Sequence, residues 1–562
     1  MSAPLILPHS PPAQTEPRAR KLFAPAGSPA APTPAGALPA AAYELARRSG
    51  SLHLAQEPVV PVVDDRLREV FERAEDPNDP LELRDLWLGR VEHRSGRHGT
   101  RPALAERWRA SRPRRTVEPE EILASRATVR LVKELFNWFF REDLYGELRD
   151  SAEIILSSGA VDEERWGIPR AVKACVSYAL ERDWYGYSDS RGRHPAREAV
   201  AAYESARMAG TGYGAENVAL TMGGTFAVSG LADFILSNSG GAAPVLCGIP
   251  NYPPLVEAIA RRRGVRLVPL PASDGHTSLE PLIAALTPET PLVMLQTAAN
   301  PTGAAVTEED LARLISRAAP STMIILDECH EWLGPPRRFS PARASPNVIR
   351  VSSLSKAWSA PGLKIGWILA DEGFISEYYE YASTTFGGPP SFFYTAVEVL
   401  ARMERWIAEG IETPGAAGAA EFEDSYGLDA RTLEAAYRDF RTERKSREDA
   451  LTTLRHAAAT GLSTPTSRVV VPRYSINLAL EFPEWDDSYQ CFRDLLRETG
   501  VALFPGILNF CTSGSLMRVT TSRRWEELSA GMERLAARRQ GFGLGAAAAA
   551  CQGGPASFSA LR

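Results

Sequence analysis

Between Asn217 and Ala370 short apolar runs recur, each followed by a polar or glycine-containing turn and then an amphipathic stretch. Val245-Leu246-Cys247, Leu267-Val268-Pro269-Leu270, Leu292 to Leu295, Ile324-Ile325-Leu326 and Val348-Ile349-Arg350-Val351 are too short for helices and predict buried strands. Strands that alternate with helices predict an α/β fold, a three-layer α/β/α domain round a mainly parallel sheet. Between two of the strands, Thr307-Glu308-Glu309-Asp310 predicts a helix start, with threonine as N-cap and an acidic residue three positions on. An open sheet of this kind presents its binding crevice at strand ends, so the places where apolar runs stop are where chemistry is expected.

The pattern changes on either side of this region. Residues 1–62 are rich in Pro and Ala, including Pro25, Pro29, Pro32, Pro34 and Pro39, and predict a flexible arm. In residues 63–150 charged and apolar positions mix, and Val132, Leu135, Phe136, Phe139 and Phe140 recur at helical spacing. This added helical segment is expected to pack and stabilise; covering a dimer interface or an active-site entrance is the other expectation. A large domain is expected over 151–400 and a helical connection over 401–443. An insertion from Glu409 to Gly427 breaks that connection at Pro414, Gly415 and Gly418. A smaller α+β domain follows over 444–540, and a flexible tail with five consecutive alanines over 541–562.

Composition narrows the class. The 562 residues are 44% apolar and 23% charged, which is globular usage, and a net charge of -6 gives no reason to expect nucleic acid as a partner. Cys175, Cys247, Cys329, Cys491, Cys511 and Cys551 are scattered without metal-ligand spacing, so reduced thiols, no metal site and a cytoplasmic location are expected. No apolar run approaches membrane-span length. The N-terminus, interrupted by Pro4, Pro8, Pro11 and Pro12, does not read as a secretory signal.

The candidate chemistry lies at the ends of the apolar runs. Lys356 falls in Ser352-Ser353-Leu354-Ser355-Lys356-Ala357-Trp358-Ser359-Ala360-Pro361-Gly362-Leu363-Lys364-Ile365-Gly366, an amine among hydroxyls with a cation close behind. Upstream, Thr221-Met222-Gly223-Gly224-Thr225 places glycines at a strand-to-helix turn, where backbone N–H groups can approach a phosphate. Asn300-Pro301-Thr302-Gly303 follows the Leu292 to Leu295 run, Met323 to Leu326 ends in Asp327-Glu328, and Ser515-Leu516-Met517-Arg518-Val519-Thr520 stands near the C-terminus. These five segments, in this order, resemble the class I/II aminotransferases of the aspartate aminotransferase superfamily, which use pyridoxal 5'-phosphate (PLP) and have fold type I.

The resemblance implies roles residue by residue. Lys356 would carry PLP as a Schiff base and then act as general base. Gly224, Thr225, Ser353 and Lys364 would hold the cofactor, with Lys364 at its phosphate. Asn300 would hydrogen-bond its phenolic oxygen and face the substrate, and Asp327 would keep the pyridine nitrogen protonated. Tyr252, in Gly248-Ile249-Pro250-Asn251-Tyr252-Pro253, would stack on the ring. Tyr187, in Tyr185-Gly186-Tyr187-Ser188, would reach the phosphate of a neighbouring subunit, making the active unit a homodimer with shared sites. Arg518 would clamp the substrate α-carboxylate, and Gly159 would face the same carboxylate with its backbone.

Three departures bear on the reaction. His330 stands where the family commonly has a tyrosine, and a histidine there could bond the phenolic oxygen or shuttle protons. Lys364 replaces an arginine, exchanging a bidentate fork for a point charge. Asp371 to Ala401 holds no Lys or Arg, which disfavours aspartate and glutamate as substrates. The leading expectation is an aminotransferase acting on an L-amino acid through aldimine and quinonoid intermediates. The alternative is elimination or replacement at Cβ or Cγ, resembling aminocyclopropane-carboxylate synthases in using S-adenosylmethionine. A PLP-binding transcription regulator is a third class, disfavoured because the N-terminal segment lacks a winged-helix pattern.

Overall fold

The computed structural model describes residues 21–23, 37–48, 52–55, 59–210 and 212–538. The expected tail at 541–562 and most of the expected arm lie outside the described residues. Seven strands form the main sheet: β1 Val218–Thr221, β2 Val245–Ile249, β3 Val265–Pro269, β4 Leu292–Gln296, β5 Met323–Asp327, β6 Val348–Ser353 and β7 Gly366–Leu369. Their spatial order is β1-β7-β6-β5-β4-β2-β3; β7 runs antiparallel to both its neighbours and every other pair is parallel.

Both faces of this sheet are covered, which is why its strands read as unbroken apolar runs. Alternate residues enter two different cores. Leu246, Val293, Leu295, Ile324 and Leu326 point to one face. Cys247, Ile249, Met294, Ile325 and Ile349 point to the other. Helix Gly224–Asn238 follows β1, and helix Glu308–Arg317 starts at Thr307, whose hydroxyl accepts from the Asp310 N–H at 3.1 Å.

A second, antiparallel sheet has the spatial order Arg468–Val470, Asn477–Glu481, Met517–Thr520, Phe504–Pro505. Helix Ala430–Leu462 lies against it and runs unbroken across residue 444, where the sequence pattern places a domain boundary. Strand Ile154–Ile155 pairs in parallel with Val501–Ala502, so the start of the 151–400 stretch packs with the C-terminal unit; Leu156 is buried in that core.

The segment over 63–150 forms helices Asp65–Arg73, Pro80–Ser95, Pro102–Ala110, Pro119–Ala124 and Arg126–Trp138, followed by a π-helical stretch Phe139–Glu147. Buried ion pairs Arg90–Asp487 and Arg493–Glu92 join it to helix Ser488–Thr499 and its N-cap. Losing one partner of such a pair is costly because the other charge is left buried. Helix Arg126–Trp138 has two apolar faces. Val129 and Val132 enter the core of the main sheet, while Leu131 and Leu135 enter the core of the C-terminal unit. One helix thus enters both cores and ties the two units together.

Candidate active site

Three strands end on one small volume. β6 delivers the chain into the four-residue helix Leu354–Ala357, which carries Lys356. The buried Lys356 amine donates to the Gly159 carbonyl. Burial, and then the neighbouring Arg518 charge, pushes its pKa down to about 8. β5 ends at Asp327, whose Oδ2 accepts from Gln296 Nε2 at 2.8 Å and whose Oδ1 accepts from the Cys329 N–H at 3.1 Å. Gln296 ends β4 in direct register with Asp327, so the parallel pairing itself aligns donor and carboxylate.

Arg518 comes from strand Met517–Thr520, opposite Phe504 in register, and its guanidinium lies 4.0 Å over the Phe504 ring. It donates to Asn300 Oδ1 at 3.1 Å and to the Ser157 carbonyl at 2.8 Å. Among the described residues no carboxylate pairs with it, and burial lowers its pKa to about 10. Arg518 Nε, Ser157 Oγ and Asn477 Nδ2 are buried polar atoms without a partner among the described residues, a polar capacity left for a ligand. Gly159 stands between the amine and the guanidinium. At φ +65 it adopts a backbone that L residues avoid, and a Cβ there would lie 2.7 Å from Arg518 Nη2. Its N–H donates to Thr520 Oγ1 at 2.7 Å.

The sequence of residues 152–535 matches the family described as aminotransferase class I and II. The chain belongs to this family. Among its relatives are an aromatic amino acid aminotransferase of Mycobacterium sp. (strain KMS) and a valine--pyruvate aminotransferase of Mycobacterium tuberculosis. The first is 29% identical over 159 residues, 26% of this chain and 44% of the relative. The second is 30% identical over 212 residues, 36% of this chain and 53% of the relative. The chain therefore spans about half the length of these relatives or less. Aspartate aminotransferase of Thermus thermophilus with maleate superimposes with a TM-score of 0.56 at 21% identity, covering 75% of this chain and 99% of that one. An aromatic aminotransferase of Pyrococcus horikoshii superimposes with a TM-score of 0.55 at 20% identity, covering 69% and 97%. These likenesses establish the fold: an α/β chain of fold type I with a large, mostly parallel sheet.

PLP is the cofactor of this family, and the residues present fit it. A buried amine of lowered basicity, a carboxylate fixed by two donors and unpaired polar atoms round Arg518 meet at the strand ends. Helix Gly224–Asn238 opens at Gly223, φ +82, and the Lys364 backbone lies against that turn. A Cβ at Gly224 would lie 2.8 Å from Cys329 Sγ, which itself accepts from Ser353 Oγ at 3.3 Å. Thr225 and Lys364 are exposed at the same turn, Lys364 with φ +55. Tyr252 leads helix Pro253–Ala260 and is partly buried.

His330 is buried, with Nδ1 3.3 Å from Ser475 Oγ. Burial, then the charges of Lys356 and Arg518, hold its pKa well below the ordinary value, so the imidazole is neutral. Tyr187 is not brought to this cluster within its own chain; it is 93% exposed. Gln296, Ser157 and Ser475 are the neighbours that sequence reasoning missed. Only Gln296 left a signal, as the polar residue that stops the Leu292 to Leu295 run. Among the described residues no helix is long and apolar enough to cross a membrane, and no group of three or more His, Cys, Asp or Glu could hold a metal ion.

Proposed function

We propose that the protein is an aminotransferase that takes the amino group from an L-amino acid and passes it to a 2-oxo acid, with PLP carried on Lys356. The observation that carries this reading is that one short backbone segment holds both groups: the Lys356 amine donates to the Gly159 carbonyl and the Arg518 guanidinium to the Ser157 carbonyl, which sets a base beside a carboxylate receptor. When bound, PLP supplies an aldehyde for amines and a ring that accepts electrons from the substrate Cα. Asp327, fixed by Gln296 and the Cys329 N–H, would hold the cationic ring nitrogen. Arg518 grips the α-carboxylate and so fixes which Cα bond is presented to the base.

Lys356 removes the Cα proton and returns it, and its pKa near 8 keeps a useful neutral fraction at neutral pH. Neutral His330, steadied by Ser475, would supply a hydrogen bond to the cofactor's phenolic oxygen and carries no charge into the site. Gly223, Gly224, Thr225, Ser353 and Lys364 would form the phosphate cup, with Tyr252 on the ring and Asn300 beside Arg518. Tyr187 would complete the cup of a second subunit in a homodimer. The names of the relatives support transamination, and nothing in the site favours elimination or replacement on S-adenosylmethionine. Incubating the purified protein, PLP, a panel of 15N-labelled L-amino acids and an unlabelled 2-oxo acid tests the reading. Labelled nitrogen should appear in the acceptor. Release as ammonia, or a product lacking its Cβ or Cγ substituent, would contradict it.

A further inference from the structure

Helix Ala430–Leu462 passes from one core into another. Leu433, Tyr437 and Phe440 pack in the core that also holds Leu354 and Trp358 of the Lys356 segment, whereas Leu451, Leu454 and Ala458 enter the core of the C-terminal unit. Arg447 sits between these two sets and is buried. Its Nη1 donates to the Ala357 carbonyl and its Nη2 to Ser359 Oγ at 2.5 Å, so one guanidinium grips the chain on both sides of Trp358, directly after Lys356. The guanidinium carbon lies 5.5 Å from the Trp358 ring and 5.1 Å from the Trp332 ring. Trp332 follows His330 by two residues, and its indole N–H donates at 2.9 Å to Glu448, the next residue of the same helix. Arg447 therefore touches the segment of the base and the segment of His330 at once.

Two features set this contact apart from ordinary packing. Ser359 has φ +51, a left-handed backbone that residues other than glycine avoid, and such a conformation persists only where its surroundings over-determine it. Among the described residues no carboxylate bonds to Arg447; Glu448 pairs instead with Arg444 at 2.8 Å. Burial lowers the Arg447 pKa to about 10, so a cation without an ion-pair partner is held there at neutral pH. An apolar residue would tie the helix to the loop without that cost, whereas holding two acceptors at a fixed spacing takes a fork of donors. We propose that Arg447 is a positioning residue for the amine: by holding the Ala357 carbonyl and the left-handed turn at Ser359, it fixes the four-residue helix that carries Lys356 and sets it against the His330 segment. It acts through the placement of the Lys356 amine, not on the reacting atoms. This rests on Lys356 carrying PLP.

The rate at which cofactor-free protein attaches saturating PLP, with loss of water, tests this without turnover and is read by visible absorbance across a range of pH. Arg447→Met should slow attachment about tenfold at every pH while the midpoint stays near 8, because the amine is displaced and its basicity is not the property that changes. Calorimetric binding of propanoate to the PLP-loaded variant should stay within about twofold of wild type, since Arg518 is untouched. Adding Ser359→Gly to Arg447→Met should bring attachment back to within about twofold of wild type, because glycine takes the left-handed turn unaided. Arg447→Lys, a point charge in place of a fork, should recover only part. Thermal unfolding shows which variants are folded, and Ser359→Ala, which deletes one acceptor and should slow attachment about threefold, keeps the test open if Arg447→Met does not fold. Attachment at the wild-type rate in Arg447→Met, a shifted midpoint in place of a slowed rate, an equal loss of propanoate binding, or a defect that Ser359→Gly leaves in place would each overturn the proposal. Attachment of PLP to another lysine in the wild-type protein would sink the reading of Lys356 and this proposal with it; attachment to Lys356 that ignores Arg447→Met and Ser359→Ala would sink this proposal alone.

Discussion

A lysine that must attack an aldehyde has to be neutral, and at Lys356 the surroundings do that work. With a pKa of about 8 rather than the usual 10.4, about one amine in ten is neutral at pH 7 instead of about one in 2,500. Covalent attachment of PLP to cofactor-free protein should therefore speed up with pH and level off near pH 8. Arg518→Leu removes the repelling charge and should move the midpoint upward, yet not to 10.4, because burial is the larger cause. A wild-type midpoint at 10 or above would refute this. The linkage has the same sign: between about pH 8 and 10.4 the unfolded chain binds more protons at this residue, so its contribution to stability rises with pH. His330, neutral for the same reason of burial, gives a second prediction. His330→Tyr keeps a hydrogen bond available and should keep cofactor absorbance and turnover within about tenfold; because tyrosine with a pKa near 10 cannot shuttle protons at neutral pH, retained turnover means that His330 does not shuttle them either. A variant that binds cofactor and amino acid but stalls would reinstate a proton-shuttle role.

At the scale of elements, the site is a consequence of strand ends brought into register. The apolar runs made β2 to β6 easy to read, and the strand-to-helix turn at Thr221 pointed to β1, whereas the antiparallel β7, Gly366–Leu369, was not read as a strand. Gln296 was harder, because its role exists only once β4 and β5 are paired. Ser475 and Ser157 act through a hydroxyl and a carbonyl that carry no pattern in the chain. The Gly223-Gly224 pair was legible as a strand-to-helix turn, but its crowding was not: the Gly224 position is closed by Cys329 from β5's extension. Gly224→Ala should destabilise the protein by about 1–3 kcal/mol through overpacking, and Cys329→Ala added to it should restore most of the loss. Urea unfolding of the two variants checks this. Additive losses would show that the two positions do not touch. Helix Arg126–Trp138 was visible as a helix, yet its position between two cores was not, since one apolar period cannot reveal two partners.

On the scale of the whole molecule, Tyr187 stands out as a large aromatic residue that its own chain leaves exposed. If it serves a second subunit, mixing Lys356→Ala with Tyr187→Phe protein should restore activity, because one heterodimer site is free of both changes. Under conditions where subunits exchange and each variant alone is impaired, no recovery would rule out sharing. The central claim is that Lys356 carries the cofactor in a site that exchanges amino groups. Borohydride reduction of the PLP-loaded protein followed by peptide mapping tests it most directly. The label should fall on Lys356 alone, and should be lost, with release of one equivalent of 2-oxo acid, when an L-amino acid substrate is added first without an acceptor. A label on another lysine, or one that survives the amino acid, would contradict the account.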